Sequence, residues 1–443
     1  MARNHTTIGS LLMVSLWAYS RPVSACNERS VCVYWNSEIS DNDVGEDYLI
    51  DDDIRARGAR VTLMRPVPEP PISTFLDENG CLSFETQYAY GHKLLVYADA
   101  WIGTTDPVRI YAQRQETIDG PIETDFVWIV DLQGLAPDDT VTVPIKADAT
   151  DPIAPLMAIA TATMYRLSEE GLLPAAPPSM YIQYLDWKGN ARFVGSGIQV
   201  GPDSFREKFL VAHEIGHWLQ WHWGGEIGDS TEYGYKPMDD PCKFGVVKLY
   251  DFMDNELPSD ASSHGLRSAE WSTPAMSEGF AHLIATAVFN DYIDPGDNTD
   301  EDGIFRYYKD IDVKKYDDYQ AFAEANSRVS LLGDGIPPLG GELRWTENQC
   351  PNDWAEQEVS TELDWMRLFW HILTRSGTPP TLKEMLEFLN FIASSPNIYA
   401  VDHINVWCEI RDAVDDSPVM GTFAARFDQA NIDTGVYNGI CPP

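Results

Sequence analysis

The stretch Phe209-Leu-Val-Ala-His-Glu-Ile-Gly-His-Trp-Leu-Gln220 restricts the fold and the chemistry of this chain more than any other. Its apolar residues, with one residue upstream, recur at spacings of three and four: Phe205, Phe209, Ala212, Gly216 and Leu219. This period predicts an amphipathic helix. On such a helix His213 and His217 lie one turn apart on the same face, so both imidazoles can bind one metal ion in a geometry typical of zinc. Glu214 then points beside the ion, where its carboxylate can take a proton from an activated water.

The flanking residues support this helix. Asp203 or Ser204 is predicted to cap it. Gly216 lowers helix stability by about 1 kcal/mol relative to alanine, which is tolerable if the missing side chain lets another segment pack closely beside the metal. Residues 191–200, just upstream, are predicted to form a strand with a glycine-marked irregularity, and its edge can bind an extended peptide by strand addition. The alternative is a core helix with two hydrogen-bonded histidines.

A catalytic zinc site needs a third protein ligand and an open position for water. His222 and His264 lie near in sequence. However, the zinc-peptidase pattern with a third histidine requires glycine at position 220 and histidine at position 223, where this chain has Gln220 and Trp223. Glu278 is therefore the better candidate for the third ligand.

Glu278 lies in a second predicted helix, which Thr273 can cap and Pro274 can begin. The residues of this helix that can pack inward are Ala281, Ile284, Ala287 and Val288. Here the chain resembles the gluzincin group of zinc peptidases. Members of this group carry His-Glu-x-x-His on one helix and a glutamate ligand on a second, often within Glu-Gly-Phe-Ala, the sequence at residues 278–281. The resemblance covers roughly residues 155–375 in the order of the motifs.

The resemblance implies a zincin-like peptidase domain in which His213, His217 and Glu278 bind zinc and Glu214 is the general base. The 60 residues between His217 and Glu278 exceed the gap in many members and leave room for an insertion. His282 also departs from the pattern, since some members have an acidic residue at that place. It can orient His213 or Glu278, or it can be an ordinary core or surface histidine.

Peptide hydrolysis usually needs a further donor for the developing oxyanion. Residues 361–374 are predicted to form an apolar helix on which Asp364, Arg367 and His371 make a polar stripe. His371 is predicted to be the catalytic donor, with a buried ion-paired stripe that only fixes helix packing as the alternative. Four tyrosines are equally possible donors: Tyr307, Tyr308, Tyr316 and Tyr319.

Residues 1–25 are predicted to be a secretory signal, because Arg3, a short apolar run at 8–19 and a small-residue cleavage site follow one another. The chain is therefore expected to be extracellular or at the cell surface. Val23-Ser-Ala-Cys26 also matches the bacterial lipobox, so an acylated Cys26 can attach the chain to a membrane. Arg21 and Pro22 interrupt the apolar run and argue against this attachment.

The chain has seven cysteines, and removing Cys26 leaves an even set suited to three disulfides in an oxidising compartment. That set is Cys32, Cys81, Cys242, Cys350, Cys408 and Cys441. A bridge from Cys26 to Cys32, with a different free thiol, is the competing account.

The composition is that of a soluble globular protein, with 44% hydrophobic and 23% charged residues. The formal net charge is −38, and the predicted signal contributes two arginines and no acid. The field of so acidic a chain repels phosphate backbones, so nucleic acid is not an expected partner. The expected partner is a peptide or protein substrate.

The chain is predicted to be α+β, with an antiparallel β-sandwich accessory domain at residues 26–150 followed by a mainly helical peptidase domain at 151–443. Short strand-like runs separated by turn signals occupy the first part: 60–64, 81–84, 93–97, 109–111, 126–130 and 140–143. This part also resembles transthyretin-like accessory domains at Gly58-Ala-Arg-Val61 and Asn79-Gly-Cys81. Helical patterns dominate from residue 154 onward.

The segment Asp294-Pro-Gly-Asp-Asn-Thr-Asp-Glu-Asp-Gly303 resembles the first half of a calcium loop, with oxygen ligands at Asn298, Asp300 and Asp302. Lys309 stands where the loop requires its last carboxylate. Calcium is thus a second candidate ion, and a solvated acidic loop is the alternative.

Two classes of function follow from the sequence. The first is a secreted or surface-anchored zinc endopeptidase that uses Glu214 as its general base. The second is a non-catalytic surface binding or structural protein on a peptidase fold. The presence of Glu214 favours the first class.

Overall fold

The computed structural model describes residues 27–36, 54–103, 107–132, 140–146, 151–174, 179–187, 191–202, 205, 208–224, 270–289, 304–305, 329–330, 359–360, 362–375, 380–394, 410–412 and 425–430. Several sequence predictions lie outside these residues: the secretory signal with Cys26, the caps Asp203 and Ser204, the calcium loop with Asn298, Asp300 and Asp302, the four tyrosines, and the cysteines from Cys242 onward.

The described residues form both helices and sheets, so the chain is mixed α+β. Its strands are β1 (Asn27–Asn36), β2 (Ile54–Arg55), β3 (Ala59–Met64), β4 (Ile72–Phe75), β5 (Cys81–Thr86), β6 (His92–Ile102), β7 (Val108–Gln115), β8 (Ile122–Glu123), β9 (Val127–Leu132), β10 (Thr140–Lys146), β11 (Met180–Leu185), β12 (Arg192–Phe193), β13 (Gly197–Val200), β14 (Glu270–Trp271), β15 (Ile304–Phe305), β16 (Val329–Ser330) and β17 (Val359–Ser360). Its helices are α1 (Ile153–Glu169), α2 (Lys208–Gly224), α3 (Ser272–Phe289), α4 (Glu362–Arg375) and α5 (Leu382–Ser394).

The first sheet is built around β1, which pairs with β2 and β5 in antiparallel fashion and with β10 in parallel. Val31, Val33 and Trp35 alternate along β1 and are buried, as expected for a strand with one face on the core. Cys32 and Cys81 lie opposite each other on β1 and β5 and form a disulfide. The alternative bridge from Cys26 to Cys32 is therefore wrong.

The second sheet has nine strands, in the order β12-β13-β11-β7-β6-β3-β4, with β8 and β9 paired to β7 and β6. It is a mixed sheet, because β11 runs parallel to both β7 and β13. The predicted antiparallel β-sandwich at residues 26–150 was wrong for two parallel pairs, β1 with β10 and β7 with β11. Parallel neighbours are joined by long crossovers that leave no local turn signal. The sheet also includes strands from both sides of residue 150, where the sequence predicted a boundary. Trp35 contacts Trp128 edge-to-face, so the two sheets share a core.

Helix α1 packs against β6 and β7. In the chain it lies between β10 and β11, the first strand of the large sheet after residue 150. Asp151 precedes the first turn of α1 and bonds to it: one carboxylate oxygen accepts the backbone N–H of Ile153 at 2.9 Å, and the other accepts the indole N–H of Trp128 at 3.0 Å. The remaining helices form a packed group in which α2 contacts α1, α3 and α5, and α3 also contacts α4. No helix in the described part of the chain is both long and apolar enough to cross a bilayer.

The predicted strand with a glycine irregularity at 191–200 is a hairpin of β12 and β13. Gly195, with φ of +72°, lies in its turn, a conformation that glycine adopts without strain. β12 ends the order of the large sheet on the side where α2 packs against β12 and β13. The hairpin is thus placed beside the His213–His217 face of α2.

Candidate metal centre

Three side chains from two helices meet at one point. α2 places His213 and His217 one turn apart, as the motif predicted, and α3 brings Glu278 to both. The Nε2 atoms of the two histidines lie 3.1 Å apart, and Glu278 Oε2 lies 3.0 Å from that of His213 and 2.9 Å from that of His217. Within the described residues, these three form the group of His, Cys, Asp and Glu side chains with metal-ligand spacing.

The donor set and its spacing fit a zinc ion. Two nitrogens and one carboxylate oxygen are a common protein ligand set for catalytic zinc. Zinc binds such atoms at about 2.0–2.2 Å, so neighbouring ligand atoms of a tetrahedral site lie roughly 3.3–3.6 Å apart. The three observed separations are shorter by only a few tenths of an ångström, a difference that small side-chain rotations remove.

Gly216 is the residue that lets the two helices come this close. A Cβ at this position would lie 2.9 Å from the Cα and 3.0 Å from the carbonyl oxygen of Ala281 on α3. Both distances are shorter than van der Waals contact, and both atoms belong to the backbone. The expectation that the missing side chain at Gly216 lets another segment pack closely is confirmed, and that segment is α3, which carries Glu278.

Burial and neighbouring charges shift the pKa values of His213 and His217 in opposite directions. Burial, and after it the neighbouring His282, lower the pKa of His213 to about 4. Burial also acts to lower the pKa of His217, but the charge of Glu278, a hydrogen bond to it and the charge of Glu214 together raise that pKa to about 9. Near neutral pH the His213 imidazole is therefore neutral, whereas His217 is an imidazolium with a second ring proton, which a metal ion would have to displace.

Glu214 and His282 are buried, and each is a neighbour of the candidate ligand His213. Glu214 follows His213 on α2, and its charge acts on His217. The ring of His282 lies 4.1 Å from that of His213, tilted by 39°. This contact places His282 beside one ligand, as one of the two sequence interpretations required, and contradicts a surface position.

Sequence reasoning missed Gln220, which connects His217 to the helix that carries Glu278. The Nδ1–H of His217 donates to Gln220 Oε1 at 3.1 Å. The amide nitrogen of Gln220 donates to the carbonyl oxygen of Ser277 at 2.9 Å. The available signal was spacing, since Gln220 follows His217 by three residues and so lies on the same helical face.

Two aromatic residues beside the centre were also missed. Phe193 on β12 stacks on the ring of His217, with centroids 6.5 Å apart and planes at 29°. Trp221 lies 6.2 Å from Phe193 and is 44% exposed. An apolar rim thus joins β12 to the candidate ligand His217.

The other predicted participants are placed differently. His222 packs against Trp218 with ring centroids 4.6 Å apart and does not belong to the group of ligand side chains. His264 lies outside the described residues. His371 is on α4, as predicted, but its side chain and those of Asp364 and Arg367 are not among those the structure describes. The role of His371 as oxyanion donor stays a prediction.

Comparison with known proteins adds no relative: no family model matches the chain, and no curated protein matches its sequence.

Proposed function

We propose that this protein is a zinc-dependent peptidase of the gluzincin type, exported from the cell. The observation that carries the proposal is the convergence of His213 Nε2, His217 Nε2 and Glu278 Oε2, with Glu214 next to one ligand on the same helix. A purely structural trio would not need two imidazole nitrogens 3.1 Å apart and both directed at one carboxylate oxygen. It would also not need a buried carboxylate at the position of a general base.

The chemistry divides between the ion and the protein. When bound by His213, His217 and Glu278, zinc would polarise the scissile carbonyl and acidify a water molecule. Glu214 accepts the proton from that water and then transfers it to the leaving amine. His371 on α4 remains the proposed donor to the developing oxyanion.

The β12 edge offers a place for the substrate backbone. An extended peptide can pair with Arg192 and Phe193 as an added strand, which fixes its direction along the sheet. Because Phe193 contacts the ring of His217, a peptide paired with β12 would lie close to this candidate ligand. Main-chain hydrogen bonds then supply affinity without dependence on substrate sequence.

The proposed architecture is an N-terminal β-sandwich accessory domain followed by a zincin-like peptidase domain. The disulfide between Cys32 and Cys81 supports an oxidising compartment, which agrees with a secretory signal at residues 1–25. Mass spectrometry of the exported protein tests this: a mature N-terminus at Cys26, acylated or free, supports export, and an intact Met1 contradicts it.

The experiment for the activity uses the disulfide-bonded protein without residues 1–25. A quenched fluorescent peptide library is incubated with the zinc-loaded protein, with the chelator-treated protein, and with the treated protein after zinc is restored. Cleavage that is lost with the chelator and regained with zinc supports the proposal. A stably folded, zinc-loaded protein that cleaves no peptide would favour the alternative of a non-catalytic binding protein.

A further inference from the structure

Gln220 is a buried polar residue whose amide oxygen and amide nitrogen are both hydrogen-bonded. Its side chain is 6% exposed. Oε1 accepts from His217 Nδ1–H at 3.1 Å and from the hydroxyl of Ser277 at 3.2 Å, and Nε2 donates to the Ser277 carbonyl oxygen at 2.9 Å. A buried amide in an apolar helix pair is unfavourable unless its bonds are made, so this position is specified by its partners.

The network fixes the orientation of the amide and the tautomer of His217. A backbone carbonyl can only accept, so the NH2 group of Gln220 must face Ser277 O and the carbonyl must face His217. One proton of His217 therefore stays at Nδ1, and Nε2, which faces Glu278, is the nitrogen that becomes free when a metal ion displaces the other proton. This is the nitrogen that a metal ligand must present.

The same amide connects the two helices at the level of the ligands. Gln220 is three residues beyond His217 on α2, and Ser277 is the residue before Glu278 on α3. A change in the Gln220–Ser277 distance therefore changes the distance between His217 and Glu278. The group that accepts the Nδ1–H of His217 is a neutral amide. The ring that packs on His213 belongs to another histidine, His282.

We infer that Gln220 is the positioning residue of the metal centre: its amide holds His217 in the ligating tautomer and sets the distance to Glu278. This inference rests on the proposed zinc site and deepens it. One neutral side chain thus orients His217 and also holds α3, the helix that carries Glu278, at a fixed distance from α2.

Three variants separate these two roles. Gln220→Leu removes both, whereas Gln220→Glu keeps an acceptor for His217 Nδ1–H but loses the donor to Ser277 O. Ser277→Ala removes only the hydroxyl and keeps the backbone oxygen. Gln183→Leu is the matched control, because Gln183 is also a buried glutamine, 4% exposed, bonded to Gln115 and Gln199 in the large sheet.

The measurements are the zinc dissociation constant, by competition with a chelator, and the visible absorption spectrum of the cobalt-substituted protein. Removing such a supporting partner typically weakens metal binding 10- to 100-fold, and this loss is expected for Gln220→Leu, with a changed cobalt spectrum. Gln220→Glu should regain part of the affinity, and Ser277→Ala and Gln183→Leu should match the parent chain.

Each outcome has a defined meaning. A folded Gln220→Leu protein with parental zinc affinity and an unchanged cobalt spectrum overturns the inference and leaves the proposed function intact. An equal loss in Gln183→Leu also overturns it, because the effect would then be general destabilisation. A parent chain that binds no zinc overturns the proposed function itself, whereas zinc binding without peptide cleavage leaves the role of Gln220 standing.

Discussion

Gly216 on α2 lies directly against Ala281 on α3, so closely that a Cβ at position 216 would be 2.9 Å from the Cα of Ala281. This approach brings the imidazoles of α2 within hydrogen-bond distance of Glu278 on α3. The proposed metal centre therefore depends on a residue that has no side chain.

Gly216→Ala is expected to weaken zinc binding and to lower the free energy of unfolding. Overpacking of this kind costs about 1–3 kcal/mol, and the better helix propensity of alanine returns at most about 1 kcal/mol of it. Urea denaturation and zinc competition measure the two effects. Ala281→Gly should not rescue the variant, because the clashing atoms include the backbone of Ala281; full rescue would show that the clash is with its side chain instead.

Replacing a ligand should remove the metal, and replacing a nearby non-ligand should not. Glu278→Ala and His217→Ala are expected to lose stoichiometric zinc, measured by metal analysis after gel filtration. His222→Ala is the control, because His222 is on the same helix but packs against Trp218. Full zinc retention in Glu278→Ala would transfer the third-ligand role to His264 or His282.

Zinc binding is expected to release about one proton near pH 7. The pKa of His217 is raised to about 9, so this imidazole is protonated at neutral pH, whereas His213, with a pKa lowered to about 4, is not. Apparent affinity should thus fall by about tenfold for each pH unit below 9 until His213 also protonates. Calorimetry in buffers of different ionisation enthalpy counts the protons; a value of zero at pH 7 would contradict this account of His217.

The bridge between Cys32 and Cys81 closes a loop with a sequence separation of 49. Its loss in a Cys32→Ala/Cys81→Ala double variant should lower the free energy of unfolding by about 2–4 kcal/mol, since the unfolded chain gains conformational freedom. Chemical denaturation of the double variant and of the parent chain, both kept oxidised, measures the difference. Equal midpoints would show that the bridge adds nothing to the stability of these sheets.

The local pattern of the sequence was enough for the helices of the site. The period around His213 predicted α2, and the pattern around Glu278 predicted α3, because an amphipathic helix is specified by residues three and four apart. The predicted start of α3 was wrong, since the helix begins at Ser272, one residue before the predicted cap Thr273. Glu278 itself was chosen on the failure of the third-histidine pattern and on a family resemblance. The side chains of α2 and α3 meet at one point because Gly216 lets the two helices pack closely. The need for glycine at this position comes from Ala281 on the opposite helix.

Non-local features were beyond the reach of the sequence. The pairing of β11 with β7 joins residues about 70 positions apart, and no period within either strand specifies its neighbour. Gln220 was seen only as a departure from the third-histidine pattern, although it contacts His217 and Ser277. Its role depends on the distance between two helices, which a single sequence does not contain.

The central claim is most directly tested by Glu214→Gln, compared with the parent chain for zinc content and for peptide hydrolysis at equal zinc loading. The amide preserves the shape of the side chain but cannot accept a proton. The account predicts unchanged zinc content and melting temperature, with a loss of hydrolysis of about 10²- to 10⁴-fold. Hydrolysis at the parental rate by a zinc-loaded Glu214→Gln protein would contradict it.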